Sequence, residues 1–119
     1  MMSLLIVEDN AKMRRMLKSM VADLASDVRE CSDGSEALAA YTAHHPDWVL
    51  MDIAMKDVDG ISATRQIKAV YPEARIIIVT SYDEVELREA ARVAGACGYV
   101  LKENLSALHE LISKPADNG

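Results

Sequence analysis

The sequence predicts an α/β fold in which a doubly wound sheet of five parallel strands, ordered 2-1-3-4-5, is flanked by five helices. Short apolar runs alternate with longer stretches of helical periodicity along the 119 residues, which is the pattern of consecutive βα units with right-handed crossovers. Hydrophobic residues make up 50% of the chain but aromatic residues only 4%. An aliphatic core of this kind is typical of parallel strands covered on both faces. For five such units, the order 2-1-3-4-5 is the leading candidate.

The predicted strands are short runs that are apolar at nearly every position. Ile76–Val79 is the clearest, because it is β-branched and too short to form a helix. Leu4–Val7 and Trp48–Met51 are apolar throughout, as expected for buried parallel strands. The five predicted strands are Ser3–Val7, Val28–Cys31, Trp48–Met51, Arg75–Val79 and Gly98–Leu101.

Helical periodicity fills the segments between and after these strands. Asn10 is placed to cap the first helix, and Gly95 marks the end of the fourth. Pro46 and Pro72 follow the second and third helices, where the residue before proline disfavours a further helical turn. The predicted helices cover about 11–24, 35–44, 61–70, 83–93 and 105–112.

We expect one domain over 1–119, with a core over about 3–112 and a polar tail at 113–119. The net charge of −6 argues against nucleic-acid binding by this chain, because phosphate neutralisation needs clustered Lys and Arg. With no cationic apolar leader and no apolar stretch of about 20 residues, we expect a cytoplasmic protein that does not span a membrane. Cys31 and Cys97 fit no metal-binding pattern and are expected to be buried free thiols.

Acidic residues follow the first and third predicted strands. Glu8 and Asp9 come after the first strand, and Asp52 comes after the third. In the predicted order these strands flank the switch point of the sheet, so their carboxylates should face each other. Three carboxylates in one pocket repel one another, and a hard divalent cation such as Mg²⁺ relieves that repulsion.

The fourth and fifth strands add a hydroxyl and an ammonium group to the same edge. Thr80 and Lys102 can both donate hydrogen bonds to phosphoryl oxygens. A carboxylate, a metal, a hydroxyl and an ammonium together indicate phosphoryl transfer onto an aspartate. Each residue also has a structural interpretation, since Glu8 and Asp9 could simply favour the N-terminus of the first helix. The coincidence at four strand ends favours the functional interpretation.

At this point the sequence resembles the receiver domains of two-component response regulators, which have a flavodoxin-like fold. The likeness extends from about Ser3 to Ile112 and is carried by Leu5–Asn10, Met51–Met55 through Asp59-Gly60, Ile78–Ser81 and Ala94–Lys102. It implies that Asp52 is the phosphoacceptor, with Thr80 and Lys102 as its catalytic partners. It also implies that Mg²⁺ is held by Glu8, Asp9, Asp52 and the backbone carbonyl of Ala54, and that Thr80 and Tyr99 form the switch.

The resemblance also implies partners. A sensor histidine kinase would supply the phosphoryl group, and a surface formed by helix 4, strand 5 and helix 5 would then control an output such as transcription. Such a chain is a switch that catalyses only its own phosphorylation and dephosphorylation, and phosphorylation can drive it to form a homodimer. The run Gly95–Tyr99 with Lys102-Glu103 is similar to receivers of the LuxR/NarL type. Whether this receiver stands alone or precedes a C-terminal DNA-binding domain stays open.

Two positions depart from the family pattern. Lys56 and Glu103 stand where prolines are usual, and we expect Lys56 to alter loop dynamics or kinase preference without abolishing phosphorylation.

Two other classes of protein share this topology. A flavin-binding electron carrier would need a phosphate loop rich in Ser, Thr and Gly after strand 1, where this chain has Glu8-Asp9-Asn10. A receiver-like scaffold that works unphosphorylated usually lacks some of the acidic residues or the lysine, whereas this chain keeps all of them.

Overall fold

The computed structural model describes residues 2–113. Within them, five parallel strands form one sheet in the order β2-β1-β3-β4-β5, which confirms the predicted order. The predicted polar tail at 113–119 lies outside the described residues, apart from Ser113. The strands are β1 (Ser3–Val7), β2 (Asp27–Cys31), β3 (Trp48–Met51), β4 (Ile76–Thr80) and β5 (Gly98–Leu101).

Five α-helices connect and follow these strands. The first is shorter than predicted, because residues 21–24 form turns in which the Leu24 N–H bonds to the Val21 carbonyl at 2.9 Å. Short 3₁₀ helices precede the second and fifth α-helices, at Gly34–Glu36 and Lys102–Asn104. No helix within 2–113 is both long enough and apolar enough to cross a membrane. The α-helices are α1 (Ala11–Met20), α2 (Ala37–His44), α3 (Gly60–Val70), α4 (Val85–Ala94) and α5 (Ser106–Ser113).

Local hydrogen bonds fix where three of these helices begin or end. Asn10 Oδ1 accepts a bond from the Met13 N–H at 2.8 Å, so Asn10 caps α1 as predicted. Asp59 caps α3 in the same way through the N–H of Ser62. Gly95 ends α4 with a φ of 109°, a left-handed conformation that glycine adopts without a steric penalty.

The sheet separates two apolar layers. Alternate strand residues on one face pack with α2, α3 and α4, and those on the other face pack with α1 and α5. One prediction about burial was wrong, because Cys97 is exposed just before β5, whereas Cys31 is buried as predicted. Met16 on α1 is 47% exposed and lines the rim of a cleft.

Candidate functional site

An open cleft of about 540 Å³ lies at the carboxyl ends of the strands. Every predicted catalytic and metal-binding residue lines this cleft, whereas Tyr99 lies outside it. Thr80 is the last residue of β4 and not the first residue after it, because β4 runs one position further than predicted. The lining residues are Glu8, Asp9, Asn10, Lys12, Met13, Met16, Asp52, Ala54, Thr80, Ser81, Tyr82 and Lys102.

Strand register brings the acidic residues together. Val7 pairs with Met51 across β1 and β3, so the residues that follow them emerge side by side. One carboxylate oxygen from each of Glu8, Asp9 and Asp52 lies within 4.8 Å of the other two. Glu8 is 1% exposed and Asp52 is 5% exposed, whereas Asp9 is open to solvent. The expected carboxylate cluster therefore forms, with two members buried and one at the surface.

Backbone contacts hold Asp52 in place. Its N–H donates to the Val7 carbonyl at 3.0 Å, which extends the sheet ladder one residue beyond β3. Its Oδ1 accepts a bond from the N–H of Ile53 at 2.9 Å. Gly60 packs against the same peptide so closely that a Cβ there would lie 1.7 Å from the Asp52 carbonyl oxygen. The start of α3 is therefore built against the backbone of Asp52.

Lys102 brings its ammonium group to both buried carboxylates. Its Nζ lies 3.0 Å from Oε1 of Glu8 and 3.4 Å from Oδ2 of Asp52. The side chain is 17% exposed, so both contacts are partly shielded from solvent and from salt screening. One ammonium thus serves two carboxylates, which leaves excess negative charge in the cleft.

The charges in the cleft shift each other's pKa. Burial, followed by the neighbouring Asp52 charge, raises the pKa of Glu8 from 4.5 to about 7. Burial also raises the pKa of Asp52, although Lys102 and the Ile53 N–H oppose the rise. Burial alone would lower the pKa of Lys102, but hydrogen bonding and charge from Glu8 and Asp52 outweigh it and raise that pKa. The cleft therefore favours a further positive charge.

The donor atoms fit a hard divalent cation. Glu8 Oε1 is buried and, among the described residues, accepts no hydrogen bond of good geometry, although the Lys102 ammonium is close enough for an ion pair. An unsatisfied buried carboxylate oxygen is costly unless a cation or water completes its contacts. All three clustered side chains offer oxygen ligands, which Mg²⁺ prefers.

The hydroxyl of Thr80 is linked to Tyr99 through one residue. Thr80 is fully buried, and its Oγ1 accepts a bond from the Tyr82 N–H at 3.3 Å. The Tyr82 carbonyl accepts a bond from the Tyr99 hydroxyl at 2.7 Å. Tyr99 is half-buried on β5, beside α4.

Asp33 is a supporting residue that the sequence did not indicate. Its carboxylate accepts bonds from the N–H groups of Ser35, Asp57 and Val58 at 2.8, 2.9 and 3.2 Å. The Asp57 bond, followed by the Ser35 bond, holds the pKa of Asp33 well below its usual range. Asp33 therefore fastens the loop after Asp52 to the segment after β2. Asp33-Gly34 resembles an ordinary helix start in the sequence, and nothing local signals a contact across 24 residues.

Neither of the two departures from the family pattern lines the cleft. Lys56 is exposed in the loop between β3 and α3 and does not line the cleft. Glu103 lies in the 3₁₀ helix that follows β5, and the Lys102–Glu103 peptide bond is trans.

Comparison with known sequences agrees with this geometry. A family model for the response regulator receiver domain matches residues 4–113. The chemotaxis protein CheY of Bacillus subtilis is 37% identical over 100 residues, which cover 83% of each chain. The regulatory protein AtoC of Escherichia coli is 37% identical over 99 residues, but the chain spans only 22% of its length. These likenesses favour the receiver interpretation over the flavin-binding alternative.

Solved structures of similar shape include a LuxR-family two-component response regulator from Aurantimonas. It is 28% identical, with a TM-score of 0.84, and the match covers 94% of this chain and 85% of that one. The CheX-CheY-BeF₃-Mg²⁺ complex of Borrelia burgdorferi has a TM-score of 0.83 at 25% identity, covering 94% and 87% of the two chains.

Proposed function

The chain belongs to the response regulator receiver domain family, and from that premise we propose that it is a switch activated when Asp52 accepts a phosphoryl group. The observation that carries the proposal is the position of Asp52. It is 5% exposed at the end of β3, within a cluster that also contains Glu8 and Asp9, and 3.4 Å from Lys102. Burying a carboxylate beside other carboxylates is costly, and such groups are concentrated at functional sites.

In the proposed reaction, a carboxylate oxygen of Asp52 attacks the phosphorus of a phosphohistidine on a sensor histidine kinase. A P–O bond forms and the P–N bond breaks, and the departing imidazole keeps the electron pair. Lys102 and Thr80 are the donors placed to bind the phosphoryl oxygens. Lys102 already lies between the two buried carboxylates, so its ammonium can follow the new negative charge with little movement.

We assign the Mg²⁺ site to Glu8, Asp9, Asp52 and the backbone carbonyl of Ala54. The first three form the clustered oxygen set, and Ala54 lines the same cleft. When bound, Mg²⁺ neutralises the charge that accumulates on the phosphoryl oxygens during transfer. The similar CheY from Borrelia burgdorferi, solved in a complex that contains BeF₃ and Mg²⁺, supports the assignment.

The proposed output is a change at the surface formed by α4, β5 and α5. Thr80 moves toward the phosphoryl group and Tyr99 turns inward, so the phosphorylated state presents a different surface to partners. We propose a single cytoplasmic receiver over 1–119 that catalyses no reaction beyond its own phosphorylation and dephosphorylation. Its output is transcriptional regulation, either through a partner or through a DNA-binding domain.

Phosphorylation also promotes a homodimer. Measuring the size of the protein in solution with and without a phosphoryl mimic would detect this dimer.

Acetyl phosphate tests the proposal without the kinase. Intact-mass spectrometry should detect a phosphoryl adduct on the wild-type protein that depends on Mg²⁺, and none on Asp52→Asn. Asp59→Asn is the matched control, because asparagine keeps the cap of α3 and Asp59 does not line the cleft. An adduct that survives in Asp52→Asn would contradict the assignment.

Lys56→Pro should change the phosphorylation rate or kinase preference while the adduct still forms.

A further inference from the structure

Arg14, near the start of α1, contacts the loop that carries two acidic residues of the cleft. Its Nη1 donates to the backbone carbonyl of Glu8 at 2.6 Å. Its Nε lies 3.3 Å from Oε1 of Glu30 on β2, and the Arg14 side chain is 20% exposed. We propose that Arg14 is a positioning residue that holds the peptide between Glu8 and Asp9 in the orientation that Mg²⁺ binding requires.

The stability of α1 alone does not explain an arginine at this position. Arg14 is the fourth residue of the helix, whose first turn contains no acidic residue. A cation so close to a helix N-terminus opposes the helix dipole. Because helical side chains point back toward the N-terminus, Arg14 reaches the loop before α1. Its contacts with Glu8 and Glu30 offset the unfavourable interaction with the dipole.

The backbone of Glu8 is fastened to β2 through both of its polar groups. Its N–H donates to the Cys31 carbonyl at 3.0 Å, which extends the ladder between β1 and β2. Its carbonyl is bound to Arg14, and Arg14 is bound in turn to Glu30, the residue before Cys31. Lys18 contacts the other carboxylate oxygen of Glu30 at 3.4 Å. The loop after β1 is therefore tied to two neighbouring residues of β2.

This one peptide orients two members of the carboxylate cluster. The Glu8 carbonyl and the Asp9 N–H belong to the same planar group, so the bond from Arg14 also fixes the backbone from which the Asp9 side chain departs. Burial holds the Glu8 side chain, whereas Asp9 is open to solvent. The inference rests on the proposed Mg²⁺ site. Removing a group that orients metal ligands typically weakens metal binding by about 10- to 100-fold.

The charge of Arg14 would act on a cation in the opposite direction. A guanidinium beside the acidic cleft repels Mg²⁺, so removing it should strengthen Mg²⁺ binding if Arg14 acts through its charge alone. Removing it should weaken Mg²⁺ binding if Arg14 acts by holding the peptide. The sign of the change in affinity therefore distinguishes a positioning role from a purely electrostatic one.

Arg14→Met tests the proposal, with Arg15→Met as the matched control. Arg15 is the next residue of the same helix and is exposed, so its substitution removes the same charge while the bond to the Glu8 carbonyl remains. Titration of the unphosphorylated protein with Mg²⁺, followed by ¹⁵N–¹H NMR, should give a dissociation constant about tenfold higher for Arg14→Met than for wild type. Arg15→Met should bind Mg²⁺ at least as tightly as wild type. Unchanged or tighter binding by Arg14→Met overturns the proposal.

The same spectra provide a measurement that needs no Mg²⁺. Because the Asp9 amide shares its peptide with the Glu8 carbonyl, the Asp9 resonance should shift in Arg14→Met and move little in Arg15→Met. If the wild type binds no Mg²⁺, the proposed metal site is wrong, and the Asp9 resonance alone decides whether Arg14 holds this peptide. A resonance that Arg14→Met leaves unmoved contradicts the proposal.

Arg14→Lys takes the place of Arg14→Met if that variant does not fold. Lysine keeps the charge but offers a single compact ammonium group, which cannot span the Glu8 carbonyl and Glu30 as the planar guanidinium does. Mg²⁺ binding should again weaken, and the Asp9 resonance should again shift. Wild-type affinity for Mg²⁺ in Arg14→Lys would overturn the proposal.

Discussion

The ammonium of Lys102 lies 3.0 Å from Oε1 of Glu8, a side chain that is 1% exposed. This contact compensates part of the cost of burying Glu8, but the raised pKa of Glu8 indicates that the compensation is incomplete. The cleft therefore keeps an excess of negative charge, and its ion pairs can rearrange. Lys102 can follow new charge on Asp52, and Glu8 can accept a cation.

Removing the ammonium should impair both stability and phosphorylation. In Lys102→Met the Glu8 and Asp52 carboxylates lose their only close side-chain cation among the described residues. We expect a loss of about 1–3 kcal/mol in the free energy of unfolding near neutral pH, and phosphorylation by acetyl phosphate slowed by about 100-fold. Denaturant unfolding and intact-mass kinetics measure these effects. Lys12→Met, an exposed change at the rim of the same cleft, should cause neither.

The contribution of Glu8 to stability should decrease as the pH rises, whereas most carboxyl groups contribute more to stability at higher pH. Because the pKa of Glu8 rises from 4.5 to about 7 on folding, the folded protein holds a proton that the unfolded chain has released. Without divalent cations, stability should therefore fall as pH rises from 4.5 to about 7. Mg²⁺ should raise the melting temperature more at about pH 8 than at about pH 5.5, because ligands must be deprotonated.

Glu8→Gln provides the control for that experiment. The substitution removes the titrating group, so the decline in stability across this pH range should largely disappear. An equally steep decline in Glu8→Gln would assign the effect to another group.

The start of α3 should tolerate no side chain. In Gly60→Ala the Cβ would lie 1.7 Å from the Asp52 carbonyl oxygen, so either the helix or the acceptor peptide must move. We expect a loss of about 1–3 kcal/mol in stability together with slower phosphorylation. Gly95→Ala is the comparison, because alanine at a φ of 109° is strained but lies away from the cleft. It should lower stability while phosphorylation continues at the wild-type rate.

Asp33 should control the order of the loop that follows Asp52. Asp33→Ala leaves the N–H groups of Ser35, Asp57 and Val58 without their acceptor. We expect faster hydrogen exchange at Asp57 and Val58 and a lower melting temperature. Those N–H groups hold the pKa of Asp33 below its usual 3.8. The contribution of Asp33 to the stability of the fold is therefore present above that pH and is lost on acidification. Protection at Asp57 and Val58 that is unchanged in Asp33→Ala would show that other contacts order the loop.

The strands and the cleft could be predicted because they depend on local pattern and on topology. Ile76–Thr80 is apolar and β-branched, and a parallel sheet brings Glu8, Asp52 and Lys102 to one edge once its order is known. The prediction for β4 was displaced by one residue at each end, because local pattern does not fix the terminal residues of a strand.

The rest depends on contacts that the sequence does not encode locally. Asp33 acts on amides that are 24 and 25 residues away. Arg14 meets Glu30 only because β2 lies beside β1 in the sheet. Met16 has the spacing of a core residue, yet the sheet edge leaves that position at the rim of the cleft, 47% exposed. Such positions depend on how elements pack, and periodicity alone does not determine that.

The most direct test of the central claim is to locate the phosphoryl group. After phosphorylation with acetyl phosphate and Mg²⁺, borohydride reduces an aspartyl phosphate to homoserine, which peptide mass spectrometry can place in the sequence. Our account predicts homoserine at position 52 and at neither Asp9 nor Asp59. Reduction at one of those residues, or a stable phosphoryl group on His44, His45 or His109, would contradict it.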